Sequence, residues 1–164
     1  MKTVEVYTDG ACSRNPGPGG WAAILIYNGI EKEIYGYELQ TTNNRMELMA
    51  IIKAIEVLKD SCIVKIYTDS AYAFNAFSKN WVNKWQTNNW ITYKKEPVAN
   101  KDLWQRLIEL ETKHDLEWHK IKGHSDNEIN NRCDKLARKA IKEGGIQLKD
   151  SNEIQVKNLC SNQK

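Results

Sequence analysis

Apolar and polar side chains alternate at the start of the chain. Val4, Val6 and Thr8 fall on one side and Glu5 and Tyr7 on the other, which predicts a strand ending at Asp9. The stretch from Asp9 to Gly20 contains Asn15-Pro16-Gly17-Pro18-Gly19-Gly20 and reads as a turn-rich loop. Trp21–Tyr27 and Glu31–Leu39 are strand-like runs around Asn28-Gly29, a two-residue hairpin signal. Helical spacing takes over from Asn44 to Leu58, where Ala50, Ile51, Ala54, Ile55 and Leu58 form one stripe. A short apolar strand, Ile63–Thr68, follows. Helices are then expected at Ala71–Lys79, Trp81–Thr87 and Asn100–Lys113, a strand at Leu116–Ile121 and a last helix at Glu128–Lys142. Gly144-Gly145 is expected to stop that helix, leaving 144–164 as a polar tail of weak periodicity. The order β-β-β-α-β-α-α-α-β-α, a hairpin followed by alternating helices and strands, argues for an α/β sheet of mixed direction.

Composition narrows the class. The 164 residues suit one domain with a short tail, and 41% hydrophobic with 27% charged residues is ordinary globular usage. A disordered chain, a collagen and a coiled-coil rod are excluded. No apolar run approaches the ~20 residues of a membrane span. The start, Met-Lys-Thr-Val, has no apolar signal region, so a cytoplasmic location is expected. Cys12, Cys62, Cys133 and Cys160 are far apart and form no CxxC pair, the pattern of reduced thiols.

The net charge of +3 is unevenly placed. Lys79, Lys84, Lys94, Lys95 and Lys101 stand against Glu96 alone, a local +4 that leaves −1 for the remainder. Trp81, Trp85, Trp90 and Trp104 lie in or just after this stretch. A basic, aromatic-rich segment is consistent with a polyanion contact, and equally with a solvated helix pair anchored by its tryptophans.

One short repeat carries chemistry. Val6-Tyr7-Thr8-Asp9-Gly10 and Ile66-Tyr67-Thr68-Asp69-Ser70 each place an Asp where a strand runs into a turn. If the intervening helix returns the chain so that both strands run parallel, ~4.8 Å apart, the two carboxylates nearly touch and need a cation between them. The plain alternative is that each Asp opens its own turn. Glu47 lies on the apolar stripe of its helix. It is either a ligand turned toward the sheet or the acidic member of a capping box with Asn44. Asp134 borders the stripe Cys133, Leu136, Ala137, Ala140 and Ile141, and by itself reads as an exposed charge in a charged helix. His124, in Lys122-Gly123-His124-Ser125, could relay protons beside a carboxylate cluster. Four carboxylates and one His without Cys-His spacing suit hard cations such as Mg²⁺ or Mn²⁺, and two such ions can support phosphodiester cleavage.

These residues fall within a set of motifs that resembles the bacterial type 1 ribonuclease H family. The set comprises Tyr7-Thr8-Asp9-Gly10, Asn15-Pro16-Gly17-Pro18-Gly19-Gly20, Thr41-Thr42-Asn43-Asn44-Arg45-Met46-Glu47-Leu48, Thr68-Asp69-Ser70, Asp102-Leu103-Trp104, Lys122-Gly123-His124, and Asn130 to Ala137 with Arg132, Cys133, Asp134 and Leu136. They occur in order over roughly 1–143. The resemblance implies a ribonuclease H-like fold: a five-stranded mixed sheet, an antiparallel three-strand meander plus parallel strands, flanked by helices. It implies endonucleolytic hydrolysis of the RNA strand of RNA–DNA hybrids, leaving 5′-phosphate and 3′-hydroxyl ends. Asp9, Glu47, Asp69 and Asp134 would hold two Mg²⁺, with Mn²⁺ as a substitute, and His124 would assist proton transfer or product release. Asn15, Asn43 and Asn44 would meet the minor groove, and Thr42 and Asn100 would grip a DNA-strand phosphate. Residues 79–101, with Trp81, Lys84 and Trp85, would form a basic protrusion. A monomer without an obligate protein partner or membrane contact is expected.

Some positions depart from the family pattern. The protrusion is less basic than in well-known bacterial members, Ala71 replaces a longer polar residue, and Gln40 stands where an Arg can support the phosphate pocket. Alternatives are a catalytically silent hybrid-binding module, or another nuclease of the superfamily that cuts DNA junctions. All four carboxylates are present, which argues against the first. The Thr41–Leu48 block and the protrusion argue against the second.

Overall fold

The computed structural model describes residues 1–123 and 127–162, with side chains through Ile146. The strands are β1 (Lys2–Cys12), β2 (Gly17–Tyr27), β3 (Ile30–Thr41), β4 (Cys62–Thr68) and β5 (Asp115–Lys120). The helices are α1 (Asn43–Glu56), α2 (Ala71–Ser78), α3 (Trp81–Thr87), α4 (Lys101–Lys113) and α5 (Glu128–Asn162). The strands form one sheet in the order β3-β2-β1-β4-β5. β1–β2 and β2–β3 are antiparallel, and β1–β4 and β4–β5 are parallel. This is the meander plus parallel strands expected of the family, with Asn28-Gly29 as the hairpin turn between β2 and β3.

The core follows from the alternation. Val4 and Val6 of β1 and Val64 and Ile66 of β4 are buried, and they join α1 residues Leu48, Ile51, Ile52 and Ile55 and α4 residues Leu103, Trp104 and Leu107. α5 lies against β1, β2 and β3 through the buried side chains of Cys133, Ala137 and Ala140. At the opposite end of the sheet, His114 is buried, and its Nδ1 accepts a hydrogen bond from the Cys62 backbone N–H at 3.1 Å. Burial, with a smaller contribution from Lys113, holds His114 below its ordinary pKa. The unfolded chain therefore takes up this proton first as pH falls. Stability from this site is complete above about 6.5 and is lost as pH falls toward the lowered folded value. His114→Asn retains an acceptor that cannot protonate. Thermal melts at pH 5 and 7.5 should show a smaller acid-induced loss in the variant than in the wild type, and equal losses would exclude this site as the cause.

Two expectations are corrected. The loop expected from Asp9 to Gly20 is mostly strand, because antiparallel pairing continues through Asp9↔Ala22, Gly10↔Trp21, Ala11↔Gly20 and Cys12↔Gly19. The small residues allow β1 and β2 to stay paired past the expected end. The stop expected at Gly144-Gly145 is also absent, and α5 continues to Asn162. Gly144 serves close approach instead: a Cβ there would collide with the Tyr37 ring of β3. A mid-helix glycine costs roughly 1 kcal/mol, offset here by letting that ring lie against the helix backbone. Cys12, Cys62 and Cys133 are free thiols, as expected.

Candidate metal centre and active site

The Tyr-Thr-Asp repeat has a spacing of sixty residues, and so does the parallel register, which pairs Val6 with Ile66 and Tyr7 with Tyr67. Pairing stops at that row. Asp9 and Asp69 therefore stand at matching positions two residues beyond it, where β1 and β4 separate. β4 ends at Thr68, whose Oγ1 accepts from the Ser70 N–H at 3.1 Å, while Ser70 Oγ caps α2 by accepting from the Ala73 N–H at 3.1 Å. These bonds hold the backbone on both sides of Asp69.

Glu47 comes from α1. Thr42 is the N-cap of that helix, its Oγ1 accepting from the Arg45 N–H at 3.2 Å. The capping-box alternative with Asn44 is thereby removed, since Glu47 lies well inside the helix. Gly10 lets α1 approach: a Cβ there would sit 2.5 Å from the Glu47 backbone nitrogen. The Gly10 N–H also donates to Asp9 Oδ1 at 2.9 Å. One carboxylate oxygen from each of Asp9, Glu47 and Asp69 lies within 4.8 Å of the others.

This grouping shifts proton affinities. Burial first, then the Asp69 charge, pushes the Asp9 pKa up to about 7. Burial, followed by the charges of Asp9 and Asp69, raises Glu47 well above the usual carboxylate range. Glu47 Oε2 is buried and has no hydrogen-bond donor. Three close carboxylates with an orphaned buried oxygen need a proton or a cation. The all-oxygen donor set fits a hard divalent cation.

Asp134 stands at the edge of this group and outside the three-residue cluster. Its position follows from Cys133, whose buried Sγ donates to the Tyr7 carbonyl at 3.3 Å and so fixes α5 against β1 two residues before Asp9. Burial, then the Asp9 charge, raises the Cys133 thiol to about 12, which keeps it protonated and donating. Asp134 Oδ2 is 3.3 Å from Arg138 Nε, and the Asp134 charge adds to the rise at Asp9. All four carboxylates line one open cleft of about 860 Å³, together with Asn43 and Asn44. His124 lies outside the described residues.

The remaining candidates occupy two further places. Asn15 Oδ1 accepts from the Asn43 N–H at 3.2 Å, tying the β1–β2 turn to the start of α1. Asn100 precedes α4 with a left-handed backbone. Its Oδ1 accepts from Arg45 Nη1 at 3.2 Å, and its Nδ2 donates to the Tyr72 hydroxyl at 2.9 Å. Arg45 also makes a two-pronged pair with Asp102 at 3.0 and 2.8 Å. Thr42 and Asn100 are thus joined through Arg45. Sequence pattern does not single out Arg45, Tyr72 or Asp102. Arg45 and Asp102 each lie in a family-like motif, but no local pattern signals a contact between residues 57 apart.

Trp81 and Trp85 of α3 are half-buried rather than displayed. Their ring centroids are 6.4 Å apart, and Trp85 lies 5.4 Å from Trp104. Lys84 between them is exposed and lines a groove with Trp81, Trp85 and Tyr93.

Fold and site define an α/β protein with an acidic cleft, where two parallel strands part, whose clustered carboxylates suit a hard metal ion. Known proteins of this class agree. A family model described as RNase H matches residues 1–142. Proteins named ribonuclease H from Caldanaerobacter subterraneus subsp. tengcongensis (60% identical, 85% of this chain and 91% of the relative) and Caldicellulosiruptor saccharolyticus (59% identical, 87% and 99%) are similar. The crystal structure of LC9-RNase H1, a type 1 RNase H with the type 2 active-site motif, superposes with a TM-score of 0.78 at 27% identity, covering 87% of this chain and 74% of that one. LC11-RNase H1 in complex with RNA/DNA hybrid shares the fold at 24% identity, with a TM-score of 0.63 over 86% of this chain and 98% of that one. The chain belongs to the ribonuclease H family.

Proposed function

We propose that this chain hydrolyses the RNA strand of RNA–DNA hybrids endonucleolytically, with two Mg²⁺ ions held by Asp9, Glu47, Asp69 and Asp134, and Mn²⁺ able to replace them. The observation that carries this reading is the gathering of Asp9, Asp69 and Glu47 carboxylate oxygens within 4.8 Å, just beyond the last paired row of β1 and β4, with Glu47 Oε2 buried and without a donor. Its family relatives are named ribonuclease H. When bound, such ions supply a water acidic enough to attack phosphorus at neutral pH and stabilise charge on the leaving oxygen. The carboxylates balance that positive charge beside an anionic backbone, and Thr68, Ser70 and Gly10 keep them in place. His124 moves a proton near the leaving group or aids product release. Cleavage leaves 5′-phosphate and 3′-hydroxyl ends.

Recognition divides among three surfaces. Asn43 and Asn44, exposed at the cleft, offer short amides to 2′-hydroxyl groups in the minor groove, the contact that separates RNA from DNA. Asn15 orients the first of them. Thr42 and Asn100, linked through Arg45, hold a DNA-strand phosphate. Protrusion 79–101 cradles the hybrid through Lys84, with Trp81 and Trp85 forming the base beneath it. Residues 1–143 form the catalytic unit, and the protein acts as a cytoplasmic monomer.

Labelled RNA–DNA hybrid, RNA duplex and DNA duplex, each with Mg²⁺, Mn²⁺ or EDTA, form the direct test. Cleavage of the hybrid's RNA strand alone, abolished by EDTA, is expected. Cutting of DNA duplex, or cutting in EDTA, would overturn the proposal. Neutralising Lys84, Lys94 and Lys95 together should raise KM several-fold and change kcat less, because phosphate contacts supply affinity rather than chemistry. Steady-state kinetics at two salt concentrations measure this, and an unchanged KM would deny the protrusion a binding role.

A further inference from the structure

α5 borders the cleft along one edge. Asp134, Arg138 and Lys142 follow each other at four-residue spacing, and all three line the cleft. Four residues of α-helix rise ~6 Å, so Arg138 and Lys142 form a row of positive charge that leads away from the carboxylates.

These two cations differ from their neighbours. Arg45 and Arg106 each bridge α1 and α4, to Asp102 and Glu56, and Arg132 joins α5 to Glu31 and Glu33 of β3. Lys139 is engaged by Glu143 and by the Tyr35 ring. The Lys139–Glu143 pair lies within α5, but the three arginine pairs and the Lys139–Tyr35 contact join different elements and hold the fold together. Arg138 instead pairs within its own helix, with Asp134, and its side chain is 66% exposed. Such a pair adds little to stability and exchanges readily for another anion. Lys142 is exposed and has no carboxylate partner among the described residues.

We propose that Arg138 and Lys142 form a phosphate track that holds the RNA strand beside the scissile bond. The inference rests on the hybrid-cleaving reading and adds to it a contact surface separate from the protrusion and from the Thr42–Asn100 pocket. The strand whose scissile phosphate lies among the carboxylates is the RNA strand. Where it leaves Asp134 along α5, it meets the Arg138 guanidinium and then the Lys142 ammonium. A guanidinium presents paired donors to two phosphate oxygens, whereas an ammonium acts as a point charge.

The test uses the full chain as wild type, R138A, K142A, R138A/K142A, R138K and, as a control on the same helix, K139A. Fluorescence anisotropy with a labelled RNA–DNA hybrid in EDTA reads affinity across salt concentrations. Each lost phosphate contact should reduce the slope of log K against log salt by about 0.9, and the double variant should bind on the order of tenfold more weakly. R138K should recover part of the slope, and K139A should leave it unchanged. Single uncharged methylphosphonates placed along either strand identify the partner. Neutralising an RNA-strand phosphate near the cleavage position should weaken wild-type binding but not binding by the double variant. An unaltered slope in the double variant, or coupling to DNA-strand phosphates alone, would overturn the track while leaving hybrid cleavage intact. Thermal melts matching the wild type would exclude unfolding as the cause of any loss. A wild type that binds hybrid no better than DNA duplex would overturn the functional reading and the track with it.

Discussion

Asp9→Asn should lower hybrid cleavage by about 10³-fold, the scale found when one charge-stabilising group is lost from a catalytic site, while hybrid binding in EDTA stays close to wild type. Asn keeps the shape and can still accept the 2.9 Å hydrogen bond from Gly10, but it removes one negative charge from a site that must balance divalent cations. The same substitution should raise the melting temperature of the metal-free protein. Asp9 is raised to about 7 by burial and by Asp69, so the folded metal-free protein binds a proton there that the unfolded chain gives up near pH 4. A raised carboxylate favours the folded state most below the unfolded pKa, and that advantage disappears as pH climbs through the folded value near 7. Metal-free melts should therefore fall between pH 6 and 8 in the wild type. They should fall less in Asp9→Asn, and added Mg²⁺ should restore the wild type. Single-turnover cleavage and melts on one preparation check both expectations. Retained Mg²⁺-dependent cleavage would remove Asp9 from the site, and a lowered metal-free melting temperature would contradict the repulsion argument.

Trp104→Ala should destabilise the protein by about 3–5 kcal/mol, the range for truncating a fully buried aromatic side chain. For a domain of this size that is roughly a 10 °C fall in melting temperature. Trp104 is completely buried, with ring centroids 5.2, 6.0 and 5.4 Å from Tyr72, Phe77 and Trp85. Its Nε1 also donates to the Ala99 carbonyl at 3.1 Å. It joins the base of the protrusion, through Trp85, to the Tyr72–Asn100–Arg45 group. Below its transition the variant should therefore show a larger rise in KM for hybrid than fall in kcat. Differential scanning calorimetry and steady-state kinetics measure the two effects. A fall of only a few degrees, or a defect confined to kcat, would contradict this role.

Local pattern revealed most of the elements. Alternation at Val4–Thr8, the Asn28-Gly29 turn and the stripe Ala50–Leu58 correspond to β1, the β2–β3 hairpin and α1. The repeated Tyr-Thr-Asp was legible too, and its sixty-residue spacing is the parallel register itself. What local pattern missed depends on distant partners. The alternatives at Glu47 were equal by spacing, and Thr42, two residues earlier than the suspected cap, decided between them through its bond to Arg45. α5 passes Gly144 because Tyr37, more than a hundred residues earlier, lies against it. Arg45 and Asp102 belong to separate motifs and become one contact only when α1 and α4 pack.

By itself, then, the chain's order of residues determined most of the strands and helices, and which side chains were candidates for chemistry. Periodicity and residue type are local properties, set by backbone sterics and by which face must leave water. The tertiary structure alone decided that Asp9, Glu47 and Asp69 meet within 4.8 Å, and that Asp134 stands at the rim of the same cleft, paired with Arg138. Proximity of charges from β1, α1, β4 and α5 is a property of packing. The raised proton affinities of Asp9 and Glu47 arise only once folding has buried them beside other carboxylates.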